Sequence, residues 1–281
     1  FGMILFSMIP LASSFALSLS DWNGLQRLAP FQGVPGFIGV ENYVEIFTST
    51  EFWRVLGNTL YFIVLYIPVI LPVSLLVARL LHRELPGITA YRVLYYIPVL
   101  TSWVAGALIW KWVLSPVYGP VNAAIEAVGL PGPGWLTDKN WAMPAIVLAS
   151  IWKDMGFFGM IFLGGLQGIN STYYEAAAID GAGPIRRFFR ITLPLLSPVT
   201  FFVVIISIIN SFQLFPQVMI MTENAGPSGA TQVMVERIYK YAFRYHEMSY
   251  ATAFSWVLFA IIFIFTLMQL RLQKRWVHYD R

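Results

Sequence analysis

The chain has 281 residues, of which 58% are hydrophobic and 11% charged, with a formal net charge of +4. Soluble domains carry about 25% charged residues, and a soluble fold of this length could not hide so much apolar surface from water. Composition therefore excludes a soluble domain and a disordered chain and points to an integral membrane protein. The absence of cysteine excludes disulfide scaffolds, thiolate metal sites and cysteine nucleophiles. Three scattered histidines, His82, His246 and His278, make a metal site unexpected.

A bilayer crossing takes roughly 20 mostly apolar residues. Six segments meet that description, about 1–20, 58–81, 91–114, 141–167, 198–221 and 250–272. The expected fold is all-α, one domain over 1–281 with six membrane-spanning helices. The chain starts at Phe1 without a Met or a basic flank, so its true N-terminus is expected upstream. A cleaved signal peptide is the alternative for 1–20.

Charge sets the orientation. The segments 79–92, 168–197 and the tail hold Arg79, Arg83, Arg92, Arg186, Arg187, Arg190, Arg271, Lys274, Arg275 and Arg281 against Glu84, Glu175, Asp180 and Asp280. The alternate loops hold Arg27, Arg54, Lys139, Arg237, Lys240 and Arg244 against nine acids. The positive-inside rule places the first set, and both termini, in the cytoplasm. Read by position, the charge is a membrane signal and not a nucleic-acid one.

In the third span, Lys111 sits between Trp110 and Trp112, as a snorkelling lysine in an aromatic belt does. The fourth span carries Ser150, Trp152, Lys153 and Asp154. Successive residues on a helix do not face one another, so Lys153 and Asp154 are not simply each other's counter-ion. At least one is expected to meet another helix or a cavity. The fifth span carries Ser207, Asn210, Gln213 and Gln217 on one stripe, flanked by Phe212 and Phe215, with Pro216 placed to break the helix. Amides beside aromatics suit a ligand with hydroxyls and an apolar face. Interhelical polar contact is the other reading of such residues; it fits Ser207 better, and the pathway reading fits Asn210 and Gln213. The outer segment 228–249 reads as a solvated loop.

The connection 171–198 reads STYYEAAAIDGAGPIRRFFRITLPLLSP. Thr172 and Glu175 have capping-box spacing, so a short helix is predicted to start there. Ala176, Ala177 and Ala178 favour helix and leave little side chain. Gly181 is placed to end that helix in the left-handed region, and Pro184 suits the first turn of a second helix. Ile185, Phe188 and Phe189 share one face of it, while Arg186 and Arg190 share another with Arg187 beside them. The expected unit is a helix–turn–helix whose apolar face meets the bundle and whose small, charged face meets the cytoplasm. Docking of another protein and simple anchoring at the membrane surface fit these residues equally.

The spacing of Glu175, Ala176 and Ala177, then Gly181, then Ile191, Leu193 and Pro194 resembles the EAA motif of importer permeases, the membrane subunits of binding-protein-dependent ABC transporters. FIGVENYVEIF (37–47), GNTLYF (57–62), IWKWVLSPVYGPVN (109–122) and KRWVHYDR (274–281) are similar to the carbohydrate branch that includes maltose and glycerol-3-phosphate permeases. TENAGP (222–227) departs from the T-x-G-G-P often seen there.

The resemblance implies a type I importer permease fold in a prokaryotic inner membrane. It implies an ATPase dimer docked through Glu175, Ala176, Ala177, Asp180, Gly181, Arg186 and Arg187, a second homologous permease and an extracytoplasmic binding protein. It also implies a sugar pathway drawing on the fourth helix. Ser150 and Asp154 lie 25 and 21 residues before Glu175, where that site falls. The pathway set is then Ser150, Trp152, Lys153, Asp154, Asn210, Gln213 and Phe215, with structural pairing of Lys153 or Asp154 fitting as well as substrate contact. No G-x-x-x-x-G-K-[ST] occurs, so the chain has no phosphate loop of its own. ATP and magnesium belong on the partner, with no catalytic residue and no cofactor on this chain. Glycerol-3-phosphate or a related polyol is the rival cargo; Lys153 as the single mid-span cation favours a neutral sugar. An ATP-independent secondary transporter is the more remote alternative, lacking evident acidic relays or inverted repeats.

Overall fold

A chain surrounded by hydrocarbon must satisfy its backbone polar groups internally, which favours helices. The computed structural model describes residues 2–25, 36–83 and 86–277. Arg27, Glu84, His278, Asp280 and Arg281, counted above, lie outside the described residues. Among the described residues every regular element is helical apart from one isolated bridge between Ser20 and Phe37.

Helix α1 (Ile4–Ser18) is apolar and opens with a π-helical turn. It rises about 22 Å at 1.5 Å per residue, short of the roughly 30 Å hydrocarbon core. Helix α2 (Glu41–Thr48) is short and buries Asn42 and Ile46. Helix α3 (Thr50–Leu81) starts at Ser49, whose side chain accepts from the Glu51 amide, and runs 32 residues through Pro68 and Pro72. It is thus longer at its outer end than the expected 58–81.

The third expected span is not one rod. Helices α4 (Ile88–Leu100) and α5 (Trp103–Val113) meet at a 97° bend. Pro98 weakens the end of α4, Thr101 and Ser102 are extended, and the Ser102 side chain caps α5 by accepting from the Ala105 amide. The outer helix α6 (Pro120–Ala127) precedes α7 (Ala142–Gln167), which crosses unbroken.

Helix α8 (Ser171–Ile179) is capped by Asn170, whose side chain accepts from the Thr172 amide. The cap is therefore two residues earlier than the Thr172 spacing predicts. Gly181 adopts φ +71°; the chain reverses there, with the Ala182 amide bonded to the Ala177 carbonyl at 2.8 Å. Helix α9 (Pro184–Leu195) begins with Pro184 in its first turn, contains a π-helical stretch, and meets α10 (Ser197–Phe212) at 64°. The fifth span breaks after Phe212 and resumes as α11 (Pro216–Met221). Helices α12 (Met234–Phe243) and α13 (Met248–Trp276) complete the chain. The segment 228–249, expected as a solvated loop, is thus largely the amphipathic helix α12 packed on α13 and α3.

Among the described residues α3, α7 and α13 are long and apolar enough to cross a membrane, and up to five crossings result if each bent pair counts as one. The largest helix pair is α3 with α7, and one core cluster forms around them, Phe62, Tyr66, Ile70, Phe158 and Phe162 among its members. A second joins α2, α3, α10, α12 and α13 around Phe52, Phe212 and Phe254. Small residues set the spacing of α7. A Cβ on Gly156 would lie 2.1 Å from the Tyr95 carbonyl oxygen of α4, whereas Gly164 has open space. Gly156→Ala is expected to destabilise the bundle by about 1–3 kcal/mol, the range for overpacking, and Gly164→Ala to leave it unchanged. Thermal unfolding in detergent checks both; equal midpoints would refute the close α4–α7 approach.

Candidate functional site

Where α3, α5, α7 and α10 converge, they enclose a cavity of about 270 Å³. Phe62 and Tyr66 come from α3, stacked at 5.2 Å with their planes 16° apart. Trp103 comes from the start of α5, at the bend, and Ser150 and Asp154 come from α7. Asn210 and Ser211 end α10, and the break after it supplies Gln213, Leu214, Pro216 and Gln217. The volume is near the lower end of the ~300–1,000 Å³ typical of small-ligand sites. Aromatic faces with amides and hydroxyls are the surface such a site uses.

The polar atoms have defined partners. The Tyr66 hydroxyl donates to Asp154 Oδ2 at 2.7 Å. Ser150 and Ser211 donate back along their own helices, to the Ile146 and Ser207 carbonyls. Gln217 is buried, and its Oε1 has no hydrogen-bond partner. Ser207 is also buried, outside the cavity lining, with its hydroxyl unpartnered.

Of the residues singled out above, Ser150, Asp154, Asn210 and Gln213 line the cavity; Trp152, Lys153 and Phe215 do not. Trp152 stands edge-on to Trp110 at 6.0 Å and lies against Gly106. Phe215 packs on Tyr239 at 5.2 Å. Lys153 reaches the α4–α5 break, donating to the carbonyls of Pro98 at 2.9 Å, Val99 at 3.2 Å and Thr101 at 2.6 Å. Its ammonium also lies 5.4 Å from the Trp103 ring centre. A lysine at a helix C-terminus meets both its orphan carbonyls and its dipole. Phe62, Tyr66 and Trp103 were not among the sequence candidates. Their one signal is the i, i+4 spacing of Phe62 and Tyr66, which any apolar helix face shares.

The end of the bundle opposite the 171–198 unit is held by charge. Lys111 pairs with Glu223 at 3.2 Å, so it is an ion-paired residue and not a free snorkelling one. Arg237 and the Tyr241 hydroxyl both donate to Glu51, and Lys240 pairs with Glu236 at 2.7 Å. Burial, then the bond to Glu51, push the Tyr241 hydroxyl well above its ordinary range, so it stays a donor. Asn58 donates to the carbonyls of Gly229 and Gln232, each at 3.0 Å. In TENAGP, Glu223–Ala225 form a single 3-10 turn, with Ala225 in the left-handed region at φ +66° before Gly226.

The inner unit is exposed. Glu175, Ala176, Asp180, Gly181 and Arg186 are open to solvent, while Ala177 and Arg187 are half-buried. The two short helices are tied by Tyr174 to Thr192, 2.9 Å between hydroxyls, and by Arg187 Nε donating to the Ala182 carbonyl at 2.6 Å. Arg79 of α3 covers the Phe188 ring at 4.8 Å. Contrary to the expectation that the apolar face meets the bundle, only Phe188 turns inward: Ile179, Ile185 and Phe189 are 88%, 75% and 61% exposed.

Residues 47–278 match the family described as the binding-protein-dependent transport system inner membrane component. The chain belongs to that family. The probable ABC transporter permease protein YesP of Bacillus subtilis is 33% identical over 99% of this chain and 89% of its own length. The sn-glycerol-3-phosphate transport system permease protein UgpA of Yersinia pestis is 33% identical, covering 92% and 88%. The lactose transport system permease protein LacF of Rhizobium radiobacter is 33% identical, covering 94% and 87%. A chain of a bacterial alginate ABC transporter, solved with an alginate pentasaccharide-bound periplasmic protein, superposes with a TM-score of 0.83 at 24% identity, over 97% of this chain and 90% of that one. The fold is thus that of a type I ABC importer permease, a multi-pass inner-membrane component.

For this permease the break in the third span depends on Lys153. Lys153→Met removes a donor from the Pro98, Val99 and Thr101 carbonyls; Pro98 keeps the Thr101 hydroxyl at 2.6 Å, and each buried group left unpaired costs about 1–3 kcal/mol. Lys153→Met is expected to lower the unfolding midpoint in detergent, with Lys153→Arg recovering part of the loss. A midpoint unchanged in Lys153→Met would show that the break is held otherwise.

Proposed function

We propose that the chain is the membrane-spanning subunit of an ATP-driven importer. It translocates a carbohydrate, delivered by an extracytoplasmic binding protein, by alternating access. Its partners are a second homologous permease and an ATPase dimer, which binds ATP and magnesium and docks on the 171–198 unit. Both termini lie in the cytoplasm.

One observation carries the reading: the exposed inner unit is continuous with the helices that build the cavity. Only 168–170 separate α7 from α8, and only Leu196 separates α9 from α10. Helix α7 carries Ser150 and Asp154, and α10 carries Asn210 and Ser211. Closing or parting of an ATPase pair beneath α8 and α9 would tilt both cavity walls as levers, a two-state coupling with no local reaction. The carbohydrate cargo is supported by the aromatic and amide lining and by relatives named for lactose and sn-glycerol-3-phosphate transport. That last name also favours the second reading, the same machinery carrying a polyol phosphate.

Gentle solubilisation of native membranes, capture of this chain and mass spectrometry of its companions is expected to return a second permease and a nucleotide-binding subunit. Recovery of the chain alone or with its own copies overturns the assembly. Gly181→Asp forces a side chain onto a φ of +71° and adds charge to the exposed face; Glu175→Lys reverses charge there. In the reconstituted complex each is expected to cut substrate-stimulated ATP hydrolysis roughly tenfold or more, the scale of an inter-site coupling energy, while membrane insertion persists. Full coupling in both variants would show that the partner docks elsewhere.

A further inference from the structure

The carbohydrate reading leaves the charge of the cargo open, and the cavity walls bear on it. Among the described residues no Lys, Arg or His lines the cavity; its one carboxylate is Asp154. The nearest cation in sequence is Lys153. An ammonium has three N–H donors, and the Lys153 donors go to the three carbonyls of Pro98, Val99 and Thr101. No proton of that ammonium remains for a phosphate or carboxylate.

The wall carries neutral amide and indole N–H groups on Asn210, Gln213 and Trp103, but its one charged group is an acceptor. Tyr66 occupies Asp154 Oδ2 and leaves Oδ1 for a ligand. Gln217 lines the cavity 6% exposed, and its Oε1 has no partner. A buried acceptor without a donor is costly, and a ligand that donates removes that cost. Sugar hydroxyls and ammonium groups donate. Ionised phosphates and carboxylates only accept, and a like charge about 6 Å from Asp154 lowers affinity roughly a hundredfold at an effective dielectric near 20.

Resting on the carbohydrate reading, we propose that the cargo is a sugar without negative charge, whose hydroxyls or amino group donate to Asp154 and Gln217. Asp154 is the specificity-determining residue. It excludes sugar phosphates and uronates from this cavity, although relatives and structural neighbours carry names that include such acids.

The test uses the complex isolated with its companions, in proteoliposomes supplied with its binding protein and ATP. Uptake is measured for a radiolabelled panel of neutral hexoses and disaccharides, amino sugars, uronates and sn-glycerol-3-phosphate. Import is expected only among the neutral and amino sugars. Asp154→Asn is expected to lower kcat/KM for the imported sugar about tenfold, chiefly through KM, the loss of one charge-assisted hydrogen bond. Gln217→Leu is expected to raise KM similarly and serves if Asp154→Asn fails to assemble. Import of a uronate or phosphate ester, unchanged or faster in Asp154→Asn, overturns this proposal and leaves the carbohydrate importer standing. Import of no member of the panel overturns the carbohydrate reading, and this proposal with it.

Discussion

Three carbonyls and one ammonium decide the shape of this bundle. A helix that bends by 97° inside a membrane frees backbone oxygens that lipid cannot bond. Lys153 supplies donors from a neighbouring helix, and the Thr101 hydroxyl adds one to Pro98. The bend in turn sets Trp103 at the start of α5, where it walls the cavity. One residue further along α7 the side chain points about 100° around the helix, so Asp154 enters the cavity while Lys153 enters the break. The unusual Lys–Asp pair in an apolar span is thus a branch point, with one charge serving the backbone and the other facing the space it helps shape.

The two ends of the bundle are built differently. At the outer rim Glu51, Arg237 and Tyr241 lock α12 to α3, Asn58 holds the preceding turn, and Lys111 reaches Glu223. These contacts link elements distant in sequence. At the inner rim the tying contacts are within the α8–α9 unit or to Arg79, and large apolar side chains stay in solvent. Exposed isoleucine and phenylalanine beside arginine on a small rigid unit is the composition of a contact surface. Under the proposed function, the braced outer end is the fulcrum and the inner end takes the load.

The apolar segments were legible because composition alone reveals them, and the inner turn was legible because glycine and proline act locally. The break at Thr101 and Ser102 was not. Pro98 hints at it, but the decisive partner, Lys153, lies 52 residues downstream of Thr101. The cavity was half legible. Amides in an apolar run stand out, so the sequence singles out Asn210 and Gln213, which line the cavity; aromatics in an apolar run do not, so Phe62, Tyr66 and Trp103, which also line it, carry no such signal. Phe215 was misplaced for a related reason: helical spacing was extended past Phe212, where the helix ends, so its direction no longer followed from the stripe. Ile185 and Phe189 were expected against the bundle because amphipathicity names an apolar face without saying what covers it.

A charge taken into a bilayer for structural reasons constrains function as well. Moving a lysine to mid-membrane costs a few kcal/mol on insertion scales, and here carbonyl bonds and the Trp103 face offset that cost. The same bonds withdraw the cation from the pathway. What the cavity then offers is set by what remains: aromatic faces, amides and a carboxylate already half occupied by Tyr66. An ion recruited to mend a broken helix thereby fixes the polarity of the space beside it. The two residues cannot be exchanged without losing both, since an aspartate at 153 would repel the carbonyls and a lysine at 154 would invert the cavity.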